Sequence, residues 1–121
     1  MKVCIPTMGN SGLDEVISPH FGRAPTYTIV NTETMEVKVM ENKSEHMGGK
    51  GTPPMQLQRE GVDVLLCSGI GPRAIGVFEE MGIQVFVGIN TGAKVREVLE
   101  QWKAGQLVKA TPEHGCREHR H

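Results

Sequence analysis

The residues Ser18-Pro19-His20-Phe21-Gly22-Arg23-Ala24-Pro25 hold the densest chemistry in this chain. His20 offers a neutral imidazole nitrogen to a metal. Gly22 permits close backbone approach or a positive φ. Arg23 is a permanent cation with a rigid donor fork, suited to an anionic ligand. Phe21 lies between them and looks exposed. The plain alternative is a loop with a solvated histidine, which so short a motif does not exclude. Soft and borderline ligands are plentiful elsewhere, with seven Met, five His and the cysteines Cys4, Cys67 and Cys116. Met8 and Met47 in polar loops, and Cys67 at the end of an apolar run, can project toward the same rim as His20. Thiolate, thioether and imidazole suit iron–sulfur and copper-type centres. No Cys-x-x-Cys is present, so an ordinary four-cysteine cluster is not encoded. A preassembled anionic cluster fits better, held by His20, with Cys67 as a possible second ligand, and by backbone amides and Arg23. Cys67 reads equally as a small buried hydrophobe. Cys4, in mid-strand, reads as core.

Other chemistries fare less well. Gly48-Gly49-Lys50-Gly51-Thr52 resembles part of a phosphate loop, but Ser44 stands where the first glycine should fall. Gly69-Ile70-Gly71-Pro72 opens a helix yet lacks the third glycine of a dinucleotide fingerprint. Amides at helix starts can still hold an anion. A small-anion or nucleotide-binding regulatory domain without metal is therefore the alternative reading. Two-metal nuclease chemistry needs clustered carboxylates. The first strand has no Asp or Glu, and the fourth ends in Cys67. A Cys67 nucleophile with His20 as base lacks a third, orienting residue.

These residues must be positioned by one domain of ordinary size, since the chain has 121 residues and needs no disulfides to bury a core. The net charge of -1 points to neither nucleic acid nor a membrane surface. No apolar run approaches the roughly 20 residues of a membrane span. Met1–Pro6 reads as a first strand rather than a leader. The odd, widely spaced cysteines predict a reducing, cytoplasmic setting. Strands are expected at Lys2–Pro6, Thr26–Asn31, Val37–Met40, Val62–Cys67 and Ile83–Val87, the second and third forming an antiparallel hairpin. Helices are expected from the Thr52 cap to Gly61, from Pro72 to Gly82, and through Val95, Val98, Leu99 and Trp102 to Gly105. The order β-β-β-α-β-α-β-α predicts an α/β fold. Its mixed five-stranded sheet would run 3-2-1-4-5 with strand 2 antiparallel. Ligands of such sheets bind at the carboxyl ends of the parallel strands. The loops Thr7–Gly22, Ser68–Gly71 and Gly88–Gly92 converge there, with Glu41–Gly51 adjacent. Residues 1–110 form the predicted domain. Residues 111–121 read as a flexible tail, in which Cys116 and His119 could hold a metal loosely.

Several motifs taken together resemble the dinitrogenase iron–molybdenum cofactor biosynthesis family of the NifX/NafY type, also found as the carboxyl-terminal domain of NifB. They are the first strand with its Gly/Ser loop, His20-Phe21-Gly22-Arg23-Ala24, Gly48-Gly49-x-Gly51, Gly61-Val62-Asp63-Val64 and Gly69-x-Gly71-Pro72-Arg73-Ala74. The resemblance covers Met1 to Gly105. It implies a ribonuclease-H-like three-layer fold without ribonuclease activity, in keeping with the missing carboxylates. It implies a non-enzymatic carrier or store of iron–sulfur or molybdenum-containing metal–sulfur clusters, working with cluster donor and acceptor proteins. The small orange proteins that hold a molybdenum–copper sulfide cluster are similar. The family's cluster-contacting histidine before Phe-Gly corresponds to His20.

Overall fold

A computed structural model describes residues 1–42 and 53–110. Met47, Gly48, Gly49, Gly51, the Thr52 cap and the 111–121 tail lie outside the described residues. The strands are β1 (Lys2–Thr7), β2 (Thr26–Asn31), β3 (Val37–Glu41), β4 (Val64–Leu66), β5 (Gln84–Val87) and β6 (Val108–Lys109). The helices are α1 (Pro53–Arg59), α2 (Pro72–Glu80) and α3 (Val95–Lys103).

β1 lies at the centre of the sheet. It pairs antiparallel with β2 and parallel with β4, in a register that sets Cys4 against Ile29 on one side and Leu65 on the other. Side chains alternate across a pleated sheet. One face therefore carries Cys4, Ile29, Leu65 and Val85, covered by Leu57 of α1 and by Ile75 and Phe78 of α2. The other carries Val3, Ile5, Val30, Val64 and Leu66, covered by Val95, Val98 and Leu99 of α3. Helices on both faces explain why β1 and β4 read as continuous apolar runs. Left-handed glycines end the first two helices as expected, with φ of +80° at Gly61 and +79° at Gly82.

The sheet order is β3-β2-β1-β4-β5-β6. The five expected strands fall in the expected sequence, but the expected total is corrected from five to six. β6 pairs antiparallel with the edge of β5, Phe86 opposite Lys109 and Val87 opposite Val108. Its two residues are exposed and too few to show any periodicity. The tether is tertiary: the Ala110 amide donates to the Val85 carbonyl at 2.7 Å, and Ala110 itself is buried. β4 is also shorter than its apolar run, because only Val64–Leu66 keep ladder geometry.

Where β1 ends, the sheet buries three hydroxyls. Thr7 Oγ1 lies 2.6 Å from Thr26 Oγ1 and 2.9 Å from Thr28 Oγ1. Thr26 Oγ1 donates to the Gly9 carbonyl at 2.6 Å. Each hydroxyl has a single proton. The chain that uses every proton therefore runs from Thr28 to Thr7 to Thr26 to the Gly9 carbonyl, which fixes where the first loop leaves the sheet. Thr7→Val keeps the shape and adds apolar surface, yet it strands the Thr28 proton. Unfolding in urea should show a loss of about 1–3 kcal/mol; a neutral or stabilising effect would refute the chain.

Candidate functional site

Three loops meet at the carboxyl ends of β1, β4 and β5. Ser68 joins them. Its Oγ donates to the Pro19 carbonyl at 2.8 Å, and its own carbonyl accepts from the Gly88 amide at 3.4 Å. The first loop is also tied to the sheet and to the start of α3. The Ser18 amide donates to the Pro6 carbonyl at 2.8 Å, and the Ile17 amide to the Ala93 carbonyl at 3.0 Å. An exposed Arg96–Asp14 ion pair at 2.8 Å adds little energy but the same direction of constraint.

Phe21 is the peg of this loop. From the sequence it looks exposed, yet only 9% of it is accessible. Its ring centroid lies 5.3 Å from that of Tyr27 and 5.3 Å from that of Phe78, the latter nearly perpendicular at 83°. Edge-to-face contact of this kind is favourable beyond the area buried. With Phe21 seated in the core, its neighbours His20, Gly22 and Arg23 stand exposed on the rim. Gly22 does not use a positive φ, correcting one of the two expected roles. Gly22, Gly69 and Gly71 all face open space, with nothing within 4 Å of where a Cβ would lie. What they supply is bare backbone that a ligand can approach.

The loop's hydrogen bonds engage more of its carbonyls than of its amides, and the Ala24 amide closes the turn on the Phe21 carbonyl at 3.4 Å. Ser18 Oγ donates to the His20 carbonyl at 3.0 Å and accepts from the His20 amide at 3.2 Å. Tyr27 Oη donates to the Phe21 carbonyl at 2.8 Å. Asn42 Nδ2 donates to the carbonyls of Gly22 and Ala24, each at 2.9 Å. Of the five carbonyls from His20 to Ala24, all but that of Arg23 are therefore engaged from within. The amides of Phe21, Gly22 and Arg23 donate to no described residue, nor do those of Gly69 and Ile70. The rim thus carries an exposed imidazole and guanidinium beside amides that have no described partner, groups that suit an anion.

Cys67 lies beneath this rim rather than on it. It is 1% exposed, and its Sγ sits 3.8 Å from the Phe86 carbonyl within the core that holds Phe21. Burial pushes its thiol up to about 12. Burial, and to a lesser degree the charge of Cys67, raise Cys4 as well. Both thiols are free and protonated at neutral pH. Met8 is exposed on the rim side of β1. Among the described residues, no three His, Cys, Asp or Glu side chains gather to hold a metal ion. Gly48, Gly49, Gly51 and Met47 lie outside the described residues.

Sequence reasoning missed Ser18, Tyr27, Asn42 and Ser68. Ser18 had a local signal, since a serine two residues before an amide readily closes a turn. Tyr27 had half of one, because a buried tyrosine hydroxyl needs a partner whose identity the sequence does not state. Asn42 and Ser68 act across 18 to 20 and 49 positions and leave no local trace.

The profile of the family described as "dinitrogenase iron-molybdenum cofactor" matches residues 1–105. An uncharacterized protein of Methanocaldococcus jannaschii is 33% identical over 114 residues, spanning 90% of this chain and 91% of its own. Among solved structures, the apo form of the orange protein from Desulfovibrio gigas superposes with a TM-score of 0.80 at 28% identity, covering 90% of this chain and 92% of that one. A NifB-like protein from Thermotoga superposes with a TM-score of 0.72 at 30% identity, covering 89% and 91%.

The buried Cys67 thiol sets a pH dependence. The folded state keeps its proton up to about 12, whereas an ordinary thiol loses it near 9.0. The stability it contributes is full below pH 9.0 and is lost as pH rises toward 12, by about 1.4 kcal/mol per pH unit. Urea unfolding across that range should show a gentler decline in Cys67→Val than in the parent. Parallel curves would place the thiol in contact with water.

Proposed function

The chain belongs to the dinitrogenase iron-molybdenum cofactor family, and from that premise we propose that it is a non-enzymatic carrier of a preassembled, anionic iron–sulfur or molybdenum-containing metal–sulfur cluster. The observation that carries the proposal is the one-sided polarity around His20. A bare divalent cation needs several protein ligands, and carbonyl oxygens are among the usual ones. Here the carbonyls of His20, Phe21, Gly22 and Ala24 are already engaged, and no three-ligand group exists among the described residues. A cluster that brings its own sulfides needs one protein ligand and a surface of donors. His20 is that ligand. Arg23 and the amides of residues 21–23 and 69–70 offset the cluster's charge. Cys67, buried and protonated, serves as packing under the rim in this conformation.

The same reading covers the remaining expectations. The three layers are read as ribonuclease-H-like, and β1 has no carboxylate with which to cut a nucleic acid. The cargo passes between donor and acceptor proteins in the cytoplasm. Free, protonated thiols agree with that compartment. No helix among the described residues is long and apolar enough to cross a membrane.

The test is anaerobic reconstitution with iron and sulfide, and separately with tetrathiomolybdate, followed by metal and sulfide analysis and an absorption spectrum. The parent protein should hold a stoichiometric coloured species. His20→Ala should weaken retention about tenfold or more while its Tm stays within a few degrees of the parent, because an exposed loop histidine contributes little packing. Equal retention in the variant would remove His20. A colourless protein that instead binds nucleotides in calorimetry would favour the metal-free anion-binding alternative.

A further inference from the structure

Asn42 follows the last residue of β3 directly and sits beside the His20 loop. Its amide donates to the Pro25 carbonyl at 3.0 Å, continuing the ladder in which Glu41 opposes Thr26. That bond sets its side chain against the turn that displays Arg23. Nδ2 spends its two hydrogens on two carbonyls, Gly22 and Ala24, each at 2.9 Å. The orientation of the amide follows from its neighbours. With Oδ1 in that place, three oxygens would face one another with no proton between them.

We propose that Asn42 is a positioning residue for the cargo site: it holds the Gly22 and Ala24 carbonyls so that they do not turn toward an anion beside the Arg23 guanidinium and the amides of residues 21–23. The assignment rests on the carrier reading above. A peptide unit presents either its N–H or its C=O to a given side. A turn freed of Asn42 can rotate its carbonyls outward, and each outward carbonyl sets a negative dipole against a negatively charged cargo. Ser18 within the loop and Tyr27 of β2 hold the two preceding carbonyls, so the loop up to Phe21 keeps its form without Asn42. Without Asn42 the segment that carries Arg23 keeps the bond from the Ala24 amide to the Phe21 carbonyl at 3.4 Å and loses the two that hold its Gly22 and Ala24 carbonyls. The effect on binding should therefore exceed the effect on folding.

Two variants separate this role from packing. Asn42→Leu keeps the side-chain volume and loses both donors. Asn42→Ser loses volume and keeps one hydroxyl donor. Tetrathiomolybdate is titrated into the full-length protein without oxygen, with uptake followed by visible absorption and each variant's Tm recorded. A positioning role ranks affinity as parent, then Ser, then Leu, with the Leu variant weaker by tenfold or more and its Tm within a few degrees of the parent. A packing role ranks Leu above Ser, and that order would overturn the assignment, as would equal uptake by all three. If Asn42→Leu fails to fold, the Ser variant decides: affinity equal to the parent overturns the assignment, and a partial loss with an unchanged Tm supports it. A parent protein that takes up no probe overturns the carrier reading and this assignment together, whereas uptake by the parent with no loss in either variant overturns this assignment alone.

Discussion

The seating of Phe21 between Tyr27 and Phe78 is the contact on which the rim depends. It places an aromatic ring from a surface loop in the same core that α1 and α2 share with the sheet. The backbone on either side is then committed. Phe21 points to the core, and His20 before it and Gly22 and Arg23 after it are exposed. An exposed loop anchored in this way resists collapse onto the sheet and has little freedom to fray. The exposure of His20 and Arg23 thus accompanies one buried hydrophobic contact rather than any bond that the two make themselves.

Around that anchor the protein uses neutral groups to shape an electrostatic surface. Ser18, Tyr27 and Asn42 are uncharged, yet together they engage the carbonyls of His20, Phe21, Gly22 and Ala24, while the amides of Phe21, Gly22 and Arg23 donate to no described residue. A site built this way needs little formal charge, in keeping with a chain whose net charge is only -1. It also stays open, with nothing within 4 Å of where a Cβ would lie at Gly22, Gly69 or Gly71. Buried thiols complete the arrangement from below. Protonated Cys4 and Cys67 fill space without adding negative charge to the core that holds Phe21.

The threonine chain at the end of β1 has a similar logic. Three hydroxyls sit in a region where apolar side chains would pack equally well by size, and they spend their protons in series to reach the Gly9 carbonyl. The first loop is thereby fixed at its root, just as Ser68 fixes it further along through Pro19. The loops at this edge behave as one rim because hydrogen bonds join them, and their shared glycines alone would not achieve that.

Most of the fold was legible in the sequence. The apolar runs of β1 and β4, the helical spacing of Val95, Val98, Leu99 and Trp102, and the glycines at 61 and 82 each record a local constraint, and local constraints survive in one dimension. The same holds for His20 and Arg23, whose side-chain chemistry is independent of context. The β6 pairing, the burial of Phe21 and Cys67, and the donors Asn42 and Ser68 were decided only in three dimensions. Each depends on a partner that lies about 18 or more positions away, or on which face of a loop turns inward, and no periodicity encodes either. Residue type settles that this loop carries an imidazole and a guanidinium; which of its carbonyls are engaged was settled by Tyr27 and Asn42, because peptide orientation follows from contacts made in the fold and not from residue type.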